Sequence, residues 1–335
     1  MSVVKANAYG HGLVSVAKSL SGVDAVAVAR LSEAIELREH KIRTDIVLLS
    51  GVYNVEELQL AIDHDLQLVV HCHEQLPMLE AIDTRVPIVW LKIDTGMNRL
   101  GFQAAEAAEL LEYLRNMPAV GEVRLMSHFS SADELDNNET IEQLDRFLSL
   151  VDERLRHVSF CNSAAALGWP VVNQRLNSGD HRHWIRPGIA MFGISPFADK
   201  TGIDLGLKPV MQFEARLIAT KVIAAGERVG YKQTYKTDAD SVLGLVSAGY
   251  GDGYSRHFKS GTPLLLNGRR VPLAGNVSMD VIAVDLGVGA TDQVGDIATL
   301  WGDGLPVEEV APWADAIAYD LVCGVMNRES SKVVK

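Results

Sequence analysis

Residues 3–12 read "VVKANAYGHG": an apolar pair, a lysine, and then a short stretch punctuated by Gly10 and Gly12. If the apolar run is a strand, Lys5 stands at its C-terminal end and residues 7–12 form the turn that follows. Glycine suits such a turn, because without a Cβ it takes positive φ freely. Whether Lys5 is a solvated surface cation or part of a site depends on the sheet that this strand enters. In a closed parallel barrel the C-terminal strand ends form the rim that carries the active site.

The following residues point to such a barrel. Up to about residue 190, short β-branched runs alternate with longer amphipathic ones. The runs at 2–5, 25–29, 45–49, 67–71, 87–93, 123–128, 157–161 and 183–186 read as eight strands. Helical patterns fall between them, for example at 31–40, 54–63, 103–117 and 138–154. In the last of these Ile141, Leu144, Phe147, Leu148 and Val151 share one face at 3, 4 spacing. Parallel strands need crossover helices, so the expected fold is α/β, a (β/α)8 TIM-type barrel followed by a C-terminal mostly-β domain. An open doubly wound sheet is the competing arrangement, but Ser15 falls where a dinucleotide fingerprint wants a third glycine. Beyond residue 195, Gly- and Asp-rich turns separate short apolar runs at hairpin spacing, with helical patterns at 306–314 and 315–326. The expected domains are 1–195 and 206–335, joined by a connector at 197–206.

Lys and Arg total 31 against 43 Asp and Glu, a net charge of −12, which disfavours nucleic acid or an anionic membrane as partner. Cys72, Cys161 and Cys323 are odd in number and widely spaced, which fits free thiols in a reducing compartment, so cytoplasm is expected. No apolar run is long enough to span a bilayer. "HCH" (71–73) and "HRH" (181–183) lack a third ligand at convincing spacing, so no metal is expected. No HExxH, Walker lysine loop or GxSxG elbow is present.

Chemically capable residues recur at the strand ends. Strand one ends at Lys5, strand five at Lys92 with Arg99 in the next loop, and strand six at His128. Asn162 and Ser163 follow strand seven, and Arg186 with Pro187–Gly188 closes strand eight. Singly, each has an ordinary explanation: a strand-end lysine is mostly solvated, and Asn or Ser after a strand is an ordinary helix N-cap. On one rim they form a set. A lysine amine there can form a Schiff base with a carbonyl, and Asn162 and Ser163 at a helix start offer a phosphate seat. A ligand with both an aldehyde and a phosphate is pyridoxal 5′-phosphate (PLP).

Seven stretches then match one family in order and spacing: "VVKANAYGHG" (3–12), "LKIDTGMNRLG" (91–101), "SHFSSADE" (127–134), "IRPGIAMFG" (185–193), "VGYKQTY" (229–235), "GYGDGY" (249–254) and "GNVSMD" (275–280). The chain closely resembles the alanine racemases, PLP enzymes with an N-terminal barrel and a C-terminal β-domain. The resemblance implies that Lys5 holds PLP and serves as one catalytic base. Tyr9, Asn162 or Ser163, and the backbone at Gly188 and Ile189 would contact the phosphate. His128 would lie against the pyridine ring and Arg186 would face its nitrogen. Arg99 would orient the substrate carboxylate, and Lys92 matches a lysine often carbamylated in this family. Tyr231 would be the second base and Met279 a backbone contact to substrate, both reaching the site from the partner of a homodimer. Relatives carry roughly thirty more residues before the lysine, so an N-terminal helix is expected to be missing or shortened. Some relatives place a tyrosine where Asn327 stands. The implied reaction is interconversion of L- and D-alanine, supplying D-alanine for peptidoglycan or catabolising it. The alternatives are a racemase of broader specificity and a non-catalytic PLP-binding protein.

Overall fold

Eight parallel strands pair in chain order in the computed structural model, which describes residues 1–326. They are β1 (Ser2–Val3), β2 (Ala25–Val28), β3 (Asp45–Leu48), β4 (Leu66–Val70), β5 (Val86–Asp94), β6 (Val120–Met126), β7 (His157–Ser159) and β8 (Arg182–His183). A two-residue strand, Phe102–Gln103, pairs parallel with the end of β5. The sheet curls until its ends meet. Val3 N donates to Pro187 O at 2.9 Å, and Met1 N to Ile185 O at 2.8 Å. Continuous apolar strands such as Ala25–Val28, buried at every residue, are what a parallel sheet covered on both faces requires.

Outside the sheet lie α1 (Leu13–Ser19), α2 (Leu31–Glu39), α3 (Val55–Asp63), α4 (Leu76–Glu80), α5 (Ala107–Asn116), α6 (Glu139–Leu148), α7 (Ser163–Gly168) and α8 (Pro170–Leu176). The middle of the sheet's concave side is polar. Arg124 lies between the indoles of Trp90 and Trp184, 5.3 and 5.2 Å from their centroids, and Trp90 Nε1 donates to Gln67 Oε1 at 2.8 Å. Side chains alternate along a strand. Lys92 and Arg186, two residues beyond those tryptophans, therefore lie on the same side, one layer nearer the C-terminal ends.

The chain divides into two compact units, residues 1–8 with 12–191, and residues 9–11 with the chain from Phe192 onward. The second unit holds an antiparallel sheet of β9 (Phe213–Ile223), β10 (Ser241–Val246), β11 (Pro263–Leu266), β12 (Arg269–Pro272), β13 (Ile282–Gly287) and β14 (Ile297–Trp301), in the order β12-β11-β14-β9-β10-β13. Burial alternates along β13, as a sheet with one covered face demands. Among the described residues no helix is long and apolar enough to cross a membrane.

Several element ends differ from the sequence reading. β1 stops at Val3, so Lys5 lies beyond the strand, and β8 is Arg182–His183, not 183–186. The helix expected over 138–154 ends at Leu148, and those expected at 306–314 and 315–326 shorten to Val307–Val310, continued as a 3₁₀ turn, and Ala318–Cys323. Apolar spacing persists past each end because the loop also turns apolar residues inward: Leu155 is buried without being helical. The Asn327 position lies outside the described residues.

Candidate active site

The stretch after Lys5 is not an ordinary turn. Ala6, Asn7, Ala8 and Tyr9 all take left-handed helical backbone, with φ of 53, 54, 52 and 53°. None is glycine. For L-residues this conformation costs about 1–2 kcal/mol each, so local contacts must hold it. Glu33 on α2 accepts from Ala6 N at 2.6 Å through Oε1, and from Ala29 N and Arg30 N, both at 3.0 Å, through Oε2. Asn7 Oδ1 accepts from Leu13 N at 2.8 Å, and Asn7 O from Gly12 N at 3.0 Å. The strained segment directly follows the candidate Schiff-base lysine, where strain tends to collect.

Lys92 is buried at the end of β5. Burial, and then the charges of Arg186, Arg99 and Lys5, pull its pKa down to about 8. The opposing carboxylate, Asp94, already accepts from Gly96 N at 2.8 Å and Arg99 N at 3.0 Å. His128 is held well below its ordinary range by burial, then by Arg186, Lys92, Arg99 and Lys5. Lys5, Arg99 and Arg186 thus act on both Lys92 and His128, and Lys92 acts on His128 as well.

Arg186 anchors this group. It is buried, and burial lowers its pKa to about 10, so it remains a cation at neutral pH. Nη1 donates to Ser159 Oγ at 2.5 Å; Nη2 donates to Ser127 O, to Phe160 O at 3.1 Å and to His128 Nδ1 at 3.1 Å.

Asn162 is the N-cap of α7, its Oδ1 accepting from Ala165 N at 3.0 Å. Ser163 is buried and its Oγ accepts from Gly188 N at 2.9 Å and Ala190 N at 3.3 Å. With both lone pairs engaged, its hydroxyl proton is what it offers a ligand. The helix is only six residues long, so a phosphate here would rely on hydroxyl and amide hydrogen bonds more than on a helix dipole. Ile189 opens a 3₁₀ turn, Ile189–Phe192, and is buried.

In the second unit, Tyr9 is buried with its ring 5.2 Å from that of Phe192 and 6.2 Å from that of Tyr319, and burial raises its pKa to about 12. Gly10 beside it has φ 79°, and a Cβ there would fall 1.9 Å from Val322 O. Tyr231 and Met279 stand exposed, at 67 and 52 %. Two motifs far apart in sequence meet here. Asn276 Nδ2 donates to Tyr231 O at 2.7 Å, and Met279 O accepts from Gly251 N at 2.9 Å. Tyr235, in the same loop as Tyr231, donates to Asp285 Oδ2 at 2.6 Å.

Sequence reading missed Glu33, Ser127, Ser159 and Asn276 as supports, since lone small or acidic residues in such stretches carry no pattern. It also missed the left-handed turn, for which Gly10 and Gly12 were the only signal.

Known proteins resemble this chain over nearly its whole length. A family profile described as "Alanine racemase, N-terminal domain" matches residues 1–196, and one described as "Alanine racemase, C-terminal domain" matches residues 210–333. The chain is 47% identical to an alanine racemase of Vibrio atlanticus over 100% of this chain and 92% of the relative. It is 45% identical to that of Vibrio cholerae, over 98% and 89%. The crystal structure of the biosynthetic alanine racemase from Pseudomonas aeruginosa superposes with a TM-score of 0.91 at 42% identity, covering 98% of this chain and 90% of that one. The chain belongs to the alanine racemase family.

Proposed function

We propose that the chain interconverts L-alanine and D-alanine at the C-terminal rim of its barrel, with pyridoxal 5′-phosphate held by Lys5. The observation that carries the reading is the gathering of Lys5, Lys92, Arg99, His128 and Arg186 in a chain of net charge −12. Burial, and then repulsion from the neighbouring cations, depresses Lys92 and His128. A ligand bearing phosphate and carboxylate relieves that repulsion, so the residues fit the cofactor and an amino-acid substrate together.

In this reading Ser163, Tyr9, Asn162 and the backbone at Gly188 and Ile189 receive the phosphate, His128 lies against the ring and Arg186 faces its nitrogen. A guanidinium only donates, so Arg186 hydrogen-bonds that nitrogen without giving up a proton to it. When bound, the cofactor supplies an electron sink for the α-carbanion. Lys5 Nζ and the phenol oxygen of Tyr231, the latter from a second copy of the chain, remove and return the α-proton on opposite faces. Each must stand in its basic form to accept the proton it removes. Arg99 orients the carboxylate, and Met279 contacts substrate through its backbone. Lys92, drawn to about 8, keeps a neutral fraction at neutral pH that is nucleophilic toward carbon dioxide, which supports its carbamylation. The reading includes a cytoplasmic homodimer.

Borohydride reduction of the PLP-loaded protein followed by peptide mapping tests it, together with circular dichroism of an L-alanine solution. The label is expected on Lys5 and the dichroism is expected to decay to zero. A label elsewhere rejects the assignment. A label on Lys5 with L-alanine untouched favours a carrier, and faster decay of serine or larger amino acids favours broader specificity.

A further inference from the structure

We infer that Gln143, on the outer helix α6, is the positioning residue that keeps His128 and Arg186 in contact; this rests on the proposed reading of the rim. Gln143 has no solvent exposure, although it is an amide on a helix whose packing is already supplied by Leu144 and Phe147. A buried amide is costly unless its hydrogen bonds are made. Here all four are. Oε1 accepts from Ser130 N at 2.9 Å and Ser130 Oγ at 3.0 Å, and Nε2 donates to Thr95 Oγ1 and His128 O, both at 3.3 Å. The amide has one orientation, because a backbone N–H must donate and a carbonyl must accept.

Two rim loops are joined in this way. One follows β5 and carries Arg99; the other follows β6 and carries His128. The same amide reaches Arg186 by a second route: Thr95 Oγ1 lies 3.0 Å from Ser127 Oγ, and Ser127 O accepts from Arg186. Arg146, one turn along α6, donates to Thr95 O at 2.7 Å. Gly96 leaves room for this helix face, since a Cβ there would lie 2.8 Å from Glu139 Oε1 and 2.9 Å from Arg146 Nη1. Without the Gln143 amide, His128 O and Ser130 N lose their partner and the His128 loop is free to shift. A displacement of about 1 Å is enough to break a 3.1 Å contact and to slow catalysis severely.

The test uses Gln143→Met, which keeps length and volume, and Gln143→Asn, which keeps the amide but withdraws it by one methylene. Side-chain 15N spectra of cofactor-free protein, with the His128 signal assigned from His128→Asn, report which ring nitrogen bears the proton. In the native chain Nδ1 is expected unprotonated. Both variants are expected to show a mixed tautomer at His128, and the PLP-loaded enzymes a kcat lower by about a hundredfold with a shifted visible dichroism band of the cofactor. An unchanged His128 spectrum in a folded variant overturns the inference, with or without loss of activity. Failure of both variants to fold also overturns it, since the amide is then a stability element only. If alanine proves not to be a substrate, the racemase reading falls, while the nitrogen spectra still decide the positioning.

Discussion

Arg186 Nη2 stands 3.1 Å from Nδ1 of His128, and that contact assigns the proton on the imidazole. Since the guanidinium can only donate, Nδ1 accepts and the neutral ring carries its proton on Nε2. Burial and the charge of Arg186 hold the ring neutral at physiological pH. In the proposed reading Arg186, besides facing the cofactor's nitrogen, polarises His128 and through it Tyr231, the base that acts on L-alanine.

Replacing His128 with leucine removes this relay. We expect kcat/KM to fall about a hundredfold, the scale of a lost proton-handling partner. The enantiomers have equal free energy, so kcat/KM falls alike in both directions. The asymmetry is expected in the α-deuterium isotope effect, which rises for L-alanine and not for D-alanine. Equal rises would uncouple His128 from the base that acts on the L-enantiomer.

With carbon dioxide excluded so that its amine is free, Lys92 makes the stability of the cofactor-free protein depend on pH. Its pKa falls from 10.5 unfolded to about 8 folded. Below 8 both states are charged and the fold carries the whole penalty, about 3 kcal/mol at about 1.4 kcal/mol per unit. Between 8 and 10.5 the unfolded state binds more protons, so stability rises with pH. Lys92→Met is expected to unfold at higher urea than wild type at pH 7, with the gap closing by pH 10. A gap independent of pH would mean that the methionine gains come from packing.

The left-handed segment reverses an ordinary rule. Ala→Gly weakens a right-handed helix by about 1 kcal/mol, but at Ala6, with φ 53°, glycine removes the Cβ strain. Ala6→Gly is expected to stabilise the chain by about 0.5 kcal/mol after the entropy of the unfolded glycine is counted. Ala6→Val is expected to destabilise it. Urea midpoints of the two variants on the same side of wild type would contradict the left-handed assignment.

Glu33 is the acceptor that holds this segment to α2. Glu33→Ala is expected to cost about 1–3 kcal/mol, since three backbone N–H groups lose their partner, and to speed release of the cofactor from Lys5. Glu33→Gln retains one oxygen and is expected to fall between the two. Release followed by visible absorbance checks it; equal rates in all three proteins would remove Glu33 from the support of Lys5.

A shared site predicts complementation. Lys5→Ala and Tyr231→Phe homodimers are each expected to be inactive. After mixing and exchange, half the dimers are hybrids with one intact site, so about one quarter of wild-type activity should return. No recovery, with exchange verified by native mass spectrometry, would place both bases in one chain.

The sequence alone determined the alternation of eight apolar runs with amphipathic segments, and with it the parallel sheet. The two-residue period of strands and the habit of barrels to act at their C-terminal ends made Lys5, Lys92, His128 and Arg186 legible. The tertiary structure alone decided how those groups are held. Arg186 and His128 are 58 residues apart and Gln143 and Thr95 are 48 apart, so no local pattern records the tautomer or the amide clamp. The left-handed backbone at Ala6–Tyr9 was equally hidden. Alanine and tyrosine avoid that conformation on their own, and it takes the bonds of Asn7 to Leu13 and Gly12, with Glu33 on another element, to make it the lower-energy choice.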